Sequence, residues 1–161
     1  MPRKALLRVA DPDESVAGAR LAFDGLDDLL GYRLRRAQGA MHRHYMDSVA
    51  ELDLTQKQTA TLWLIHANAG VSQVSLAATL GMDRATMMSV VDRLEERGLA
   101  VRKRSVTDRR RQELYLTPAG QSLLGKVKTR IARHEERFQS LFTRSELESL
   151  LTALRKFQEM T

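Results

Sequence analysis

Apolar residues recur every three or four positions along most of this chain, the spacing that places them on one face of an α-helix. In the stretch Asp83–Gly98, Met87, Val91 and Leu94 mark such a face. Asp83 is placed to accept hydrogen bonds from the free N–H groups of the first turn, and Gly98 to end the helix in a left-handed turn. Just upstream, Ser72–Leu80 carries a shorter helical pattern with Val74, Leu76, Ala77 and Leu80 apolar, and Gly81-Met82-Asp83 separates the two. A helix, a glycine turn and a second helix form the helix-turn-helix pattern, whose second helix lies in the DNA major groove. Downstream, Leu99–Arg104 and Gln112–Leu116 read as two strands joined by the polar, basic loop Ser105–Arg111, a β-hairpin.

Long amphipathic helices flank this middle. The first is expected from about Leu26 to Leu52, striped by Leu26, Leu30, Leu34, Ala37, Met41, Tyr45 and Val49. Thr55 and Gln58 form a capping box that opens a second helix through Leu62, Trp63 and Ile65 to about Asn68. Thr117-Pro118, a cap followed by proline at the first helical position, starts a helix to about Phe142 with Leu123, Leu124, Val127, Ile131, Phe138 and Leu141 apolar. Thr143 and Glu146 form a second capping box before a last helix striped by Leu147, Leu150, Leu151, Leu154 and Phe157.

The fold class that follows is mainly α with a small β-hairpin wing, a winged helix-turn-helix plus a helical dimerisation region. The expected division is an N-terminal arm at 1–23, dimerisation helices at 24–53 and 117–161, and a DNA-binding lobe at 54–116. One copy would leave the long stripes exposed, and an apolar stripe of that size marks an interface, so a homodimer is expected. Two-fold symmetry would then set two recognition helices about 10 bp apart on a near-palindromic operator. The arm, with its Asp11-Pro12-Asp13 breaker, reads either as a flexible extension or as a segment docking on the dimer partner.

Charge sharpens the picture. Between Arg97 and Arg111 stand Arg97, Arg102, Lys103, Arg104, Arg109, Arg110 and Arg111 against the single acid Asp108, which accounts for the whole of the chain's net charge of +6. A basic loop beside a possible recognition helix is the electrostatic footprint of a duplex-binding surface; a solvated charged loop is the plain alternative. No cysteine is present, which removes disulfides and a thiol switch. No apolar run approaches a membrane span and no signal peptide is evident, so a cytoplasmic protein is expected. The histidines His42 and His44 point to different faces of a helix and have no cysteine to help them, so neither a metal site nor a cofactor is expected. No nucleophile elbow, phosphate-cradling glycine loop or metal-binding histidine motif points to an enzyme. The nearer competitor is an architectural protein that binds any duplex.

Several motifs together resemble one family. Val91-Asp92-Arg93-Leu94-Glu95 leading to Arg97-Gly98-Leu99, then Asp108-Arg109-Arg110, then Leu116-Thr117-Pro118-Ala119-Gly120, look like the core of MarR-type bacterial transcriptional regulators, with the resemblance running over about residues 26–158. Arg84, Ala85, Thr86, Ser89 and Arg93 form the face opposite the apolar one and are candidates for base contact. Ser72 and Gln73 sit at a helix start that suits a phosphate. Arg109 and Arg111 suit phosphates, and Arg104 is a further candidate for DNA contact. Arg110 matches the family's minor-groove arginine, and Asp108 is expected to orient the loop. Ala85, Met88 and Ser89 are smaller or less polar than many relatives carry. The resemblance also implies repression and a small-molecule effector, with Arg33, Arg36, Arg43, His44 and Tyr45 on the first helix and Trp63 and His66 on the second as candidate contacts. The run Tyr32–Gln38 looks like that of relatives that sense hydroxycinnamoyl-CoA-type thioesters, so an aromatic carboxylate or its CoA thioester is the expected effector. The open alternatives are a non-aromatic or metal effector, with Tyr45 and Trp63 as core aromatics and the arginines as a solvated face.

Overall fold

A computed structural model describes residues 21–105 and 111–159. Its elements are α1 (Leu30–Val49), α2 (Gln56–Ala67), α3 (Gln73–Thr79), α4 (Arg84–Glu96), β1 (Ala100–Arg104), β2 (Gln112–Leu116), α5 (Pro118–Gln139) and α6 (Arg144–Gln158). Short 3₁₀ turns, Leu26–Asp28 and Ala50–Leu52, flank α1. The chain divides within α1 into two units, Met1–Ala37 and Gln38–Thr161.

The caps explain where the helices start. Thr55 accepts from the Gln58 amide while Gln58 Oε1 accepts from the Thr55 amide, and Thr143 and Glu146 repeat the arrangement. Thr117 accepts from the Gly120 amide, with Pro118 at the first helical position. Gly98 takes φ 66° at the end of α4, a conformation that only glycine adopts without strain.

Three expected boundaries shift. The first helix was expected from Leu26, but Asp24 and Gly25 have positive φ and Leu29 is extended, so the regular helix begins at Leu30. At the other end Val49 leaves helical geometry and Ala50–Leu52 tightens into a 3₁₀ turn. The fifth helix ends at Gln139, with Ser140 as its cap, rather than near Phe142.

In the larger unit the core gathers residues from every element between Leu54 and Val127. Leu62, Ile65, Leu76, Met87, Val91, Leu94, Leu114, Leu124 and Val127 are almost completely buried. The face predicted from Met87, Val91 and Leu94 is therefore the inward one. β1 and β2 pair antiparallel from Ala100↔Leu116 to Arg104↔Gln112. Val71, between α2 and α3, adds a bridge to Leu114, with the Leu114 amide donating to the Val71 carbonyl at 3.0 Å. The middle of β2 is thereby tied to the start of the helix-turn-helix. Gly120 lies where a Cβ would stand 2.0 Å from the Leu99 carbonyl oxygen, so the start of α5 presses directly on the turn that follows α4. By contrast α6 buries no residue, and Leu150, Leu151 and Phe157 are exposed along it.

Candidate nucleic-acid interface

The outward face of α4 is set by what lies behind it. Burial of Met87, Val91 and Leu94 turns Arg84, Ala85, Met88, Ser89 and Arg93 of α4 outward, and all five are exposed. Asp83 fixes the helix start: its Oδ1 accepts from the Thr86 amide at 2.8 Å and its Oδ2 from the Thr86 hydroxyl at 2.6 Å. These hydrogen bonds from Thr86 hold the Asp83 carboxyl below its ordinary value. Thr86 is thus half-committed to the cap: its hydroxyl proton is used, and only its oxygen remains to accept from a base.

α3 packs beside α4. Ser72 caps α3, accepting from the Ser75 amide at 3.1 Å and sharing a hydroxyl hydrogen bond with Ser75 at 2.8 Å. Val74, expected on the apolar stripe, is 57% exposed instead. Leu76 and Ala77 are the buried residues of α3, and Val74, two positions before Leu76, lies about 200° round the helix from it. Gln73, Val74, Arg84, Ala85 and Met88 line an open groove of about 430 Å³ between the two helices.

The basic cluster of the sequence divides into two kinds. Arg102 points inward. Its guanidinium donates to Asp92 Oδ1 at 2.7 Å, to Glu95 and to Gln73 Oε1 at 3.1 Å, while its amide donates to Glu95 Oε1 at 2.7 Å. Gln73, expected at a phosphate, therefore has its side-chain oxygen on Arg102. Arg97 likewise donates to the carbonyl oxygens of Leu52 and Asp53. Both guanidinium groups are thereby held by partners within the chain, Arg102 partly buried and Arg97 at the surface. Arg104 and Arg111 are exposed, and the Ser105 amide donates to the Arg111 carbonyl at 3.0 Å where the hairpin narrows. Glu113 is held below the usual carboxylate range by hydrogen bonds from Ser105 and Tyr115 and by the Arg111 charge. The same carboxylate raises the Tyr115 phenol. Arg109 and Arg110, expected at DNA, and Asp108, expected to orient the loop, lie outside the described residues.

The expected effector contacts are described unit by unit. In Met1–Ala37, Arg33 pairs with Asp27 at 3.5 Å, and Arg35 and Arg36 lie over the Tyr32 ring at 5.4 and 5.9 Å, with Phe23 edge-on to that ring. In Gln38–Thr161, Tyr45 is a core residue: it is buried, its hydroxyl donates to Thr59 Oγ1 at 2.7 Å, and burial raises its phenol. Trp63 is 39% exposed with the Lys128 ammonium 4.8 Å from its ring centre, and Arg43 and His66 are exposed. His44 meets a residue that local spacing did not single out: its Nδ1 lies 2.7 Å from Nδ1 of His134, with the rings stacked. His134 is buried, and desolvation lowers its value despite the nearby Glu135. The two histidines are ninety positions apart in sequence, and the only hint was that His134 and Phe138 share a face of α5. No group of three or more metal-ligating side chains occurs among the described residues.

Residues 52–111 match the MarR family. A protein of Thauera aromatica assigned to transcriptional regulation of the hcr operon is 33% identical over 139 residues, which span 86% of this chain and 84% of that protein. This chain belongs to the MarR family. Among solved structures, the transcriptional repressor CouR bound to a 23-mer DNA duplex is 39% identical with a TM-score of 0.82, covering 87% of this chain and 99% of CouR. CouR bound to p-coumaroyl-CoA is 38% identical with a TM-score of 0.80, covering 86% and 98%. The MarR-family chain thus carries a transcriptional regulator's winged helix-turn-helix, with α4 as its recognition helix and β1–β2 as its wing. None of its described helices is long and apolar enough to cross a membrane.

Proposed function

We propose that this MarR-family regulator is a homodimeric repressor of a near-palindromic operator, acting in the cytoplasm as a binding protein and not as a catalyst, and released by an aromatic acyl-CoA thioester or its free acid. The observation that carries the reading is the outward face of α4, where Arg84, Ser89 and Arg93 stand beside small Ala85 on a helix locked from behind by the core. Arginine suits guanine edges and short hydroxyl groups suit several bases, while Arg104 and Arg111 of the wing suit phosphates. Arg110 is assigned to the minor groove on its match to the family motif. The likeness to CouR, solved on a duplex and with p-coumaroyl-CoA, supports both the DNA and the effector class. The bare apolar face of α6 supports a second copy as its cover.

The effector residues are proposed within each unit. Arg33 and Arg36 suit the phosphates of a CoA moiety, since guanidinium groups take phosphate oxygens bidentately. Arg43, His44, Trp63 and His66 supply the mixed cationic and aromatic surface of the other unit.

Fluorescence anisotropy on the chain's own promoter region tests the reading. The expected result is a preference of roughly 10³-fold or more over a scrambled duplex, with release by p-coumaroyl-CoA and weaker release by p-coumarate. Equal affinity for every duplex would instead make this an architectural protein, and tight binding that neither compound releases would remove the effector assignment.

A further inference from the structure

The groove between α3 and α4 has an uncommon lining for a face that meets DNA. Met88 is 53% exposed and Val74 is 57% exposed, and they share the groove with Ala85. Arg84 also lines it, one helical turn before Met88 on the same face of α4. Pressing apolar side chains against the hydrogen-bonding edges of bases would strand donors and acceptors that water had satisfied. One group on the major-groove floor avoids that cost, the C5-methyl of thymine.

We propose that Val74 and Met88 form a thymine-methyl reader, so that each operator half-site carries thymine where this groove meets the major groove. The assignment rests on the proposed DNA-reading role of α4 and deepens it. The exposed charge of Arg84 in the lining and the continuity of the groove with the outward face of α4 argue for the duplex as occupant. Met88 suits the task because its thioether chain is flexible and polarisable and can settle against a methyl group at slightly different depths.

Deoxyuridine tests this directly, because it pairs as thymidine does and lacks only the methyl group. A high-affinity duplex is selected with the full chain, and each thymine of a half-site is replaced in turn by deoxyuridine. Affinities are measured for the wild type and for V74S and M88S, both exposed positions at which folding is not at stake. One buried methyl corresponds to roughly a fourfold change. The wild type should lose about that factor at one or two positions and nothing elsewhere. M88S or V74S should bind the thymine duplex about that much more weakly and lose the distinction between uracil and thymine at the same position. A flat uracil scan with the wild type, or a penalty that both variants retain in full, would overturn the proposal and leave the groove to another partner. Failure of the wild type to prefer any duplex would overturn the DNA-reading role itself, an outcome readily told apart from a flat scan on a tightly bound site.

Discussion

Arg102 shows how one side chain can change the meaning of a sequence pattern. In the sequence it belongs to a basic run; in the fold its guanidinium joins Asp92 and Glu95 of α4 to Gln73 of α3 from a position on β1. Its side chain is 19% exposed, so its ion pairs lie between the surface and buried limits. Arg102→Met should lower stability by about 1–3 kcal/mol, because two carboxylates are left facing each other without their cation. Urea unfolding at fixed protein concentration measures this, and an unchanged midpoint would remove the hub role. Ser89 makes the opposite case, an exposed hydroxyl on the outward face of α4 with little structural work to do. Ser89→Ala should leave the unfolding midpoint alone and alter base preference in a selected-site profile; an identical profile would count against base reading by Ser89.

His134 adds a pH dependence at the same scale. Burial lowers its value below the ordinary 6.5, with His44 adding to the shift and Glu135 opposing it. Between the unfolded value and the lower folded one, the unfolded chain takes up a proton that the folded chain refuses. Stability is therefore full above pH 6.5 and declines as the pH falls below it. His134→Gln should flatten the profile in that interval. The depressed carboxyls of Asp83 and Glu146 act in a separate, more acidic window, below their ordinary values of 3.8 and 4.5. A decline below pH 6.5 that H134Q retains in full would contradict the assignment.

Among the elements, the junction of α4, β1 and α5 holds the lobe together. Thr117 accepts from the Gly120 amide and donates to the Gly98 carbonyl at 2.6 Å, while Gly120 itself leaves no space for a side chain. Gly120→Ala places a methyl group on the Leu99 carbonyl, which must move, and should cost about 3 kcal/mol or more. Thermal or urea unfolding decides it, and a loss well under 1 kcal/mol would mean that α5 can shift freely. Helix starts were legible because capping is a local matter of a few residues: Asp83, Thr55, Thr117 and Thr143 all act where their spacing placed them. Three features were not legible. Left-handed Asp24 and Gly25 and extended Leu29 break the backbone where the apolar stripe from Leu26 to Leu30 looks uninterrupted. Val74 is exposed because it lies nearly opposite Leu76 on α3, although it is only three positions from buried Ala77. Arg102, His134 and Val71 take their roles from partners far away in the chain, and no local period encodes a partner.

For the whole molecule, the ion pairs of Arg102 and the carbonyl contacts of Arg97 leave the basic face of α4 and the wing carried by fewer uncommitted charges than the sequence count suggests, with Arg84, Arg93, Arg104 and Arg111 exposed along it. α6 buries nothing within the chain, which is the surface a second copy would cover. A symmetric pair presents two α4 helices to successive major grooves, and its symmetry passes to the DNA it selects. Selection of binding sites from a random duplex library by this chain, read by sequencing, tests the symmetric arrangement most directly. One enriched, near-palindromic motif with half-site centres about 10 bp apart is expected. A library that emerges with no enriched motif, or with a lone unsymmetrical half-site, would contradict it.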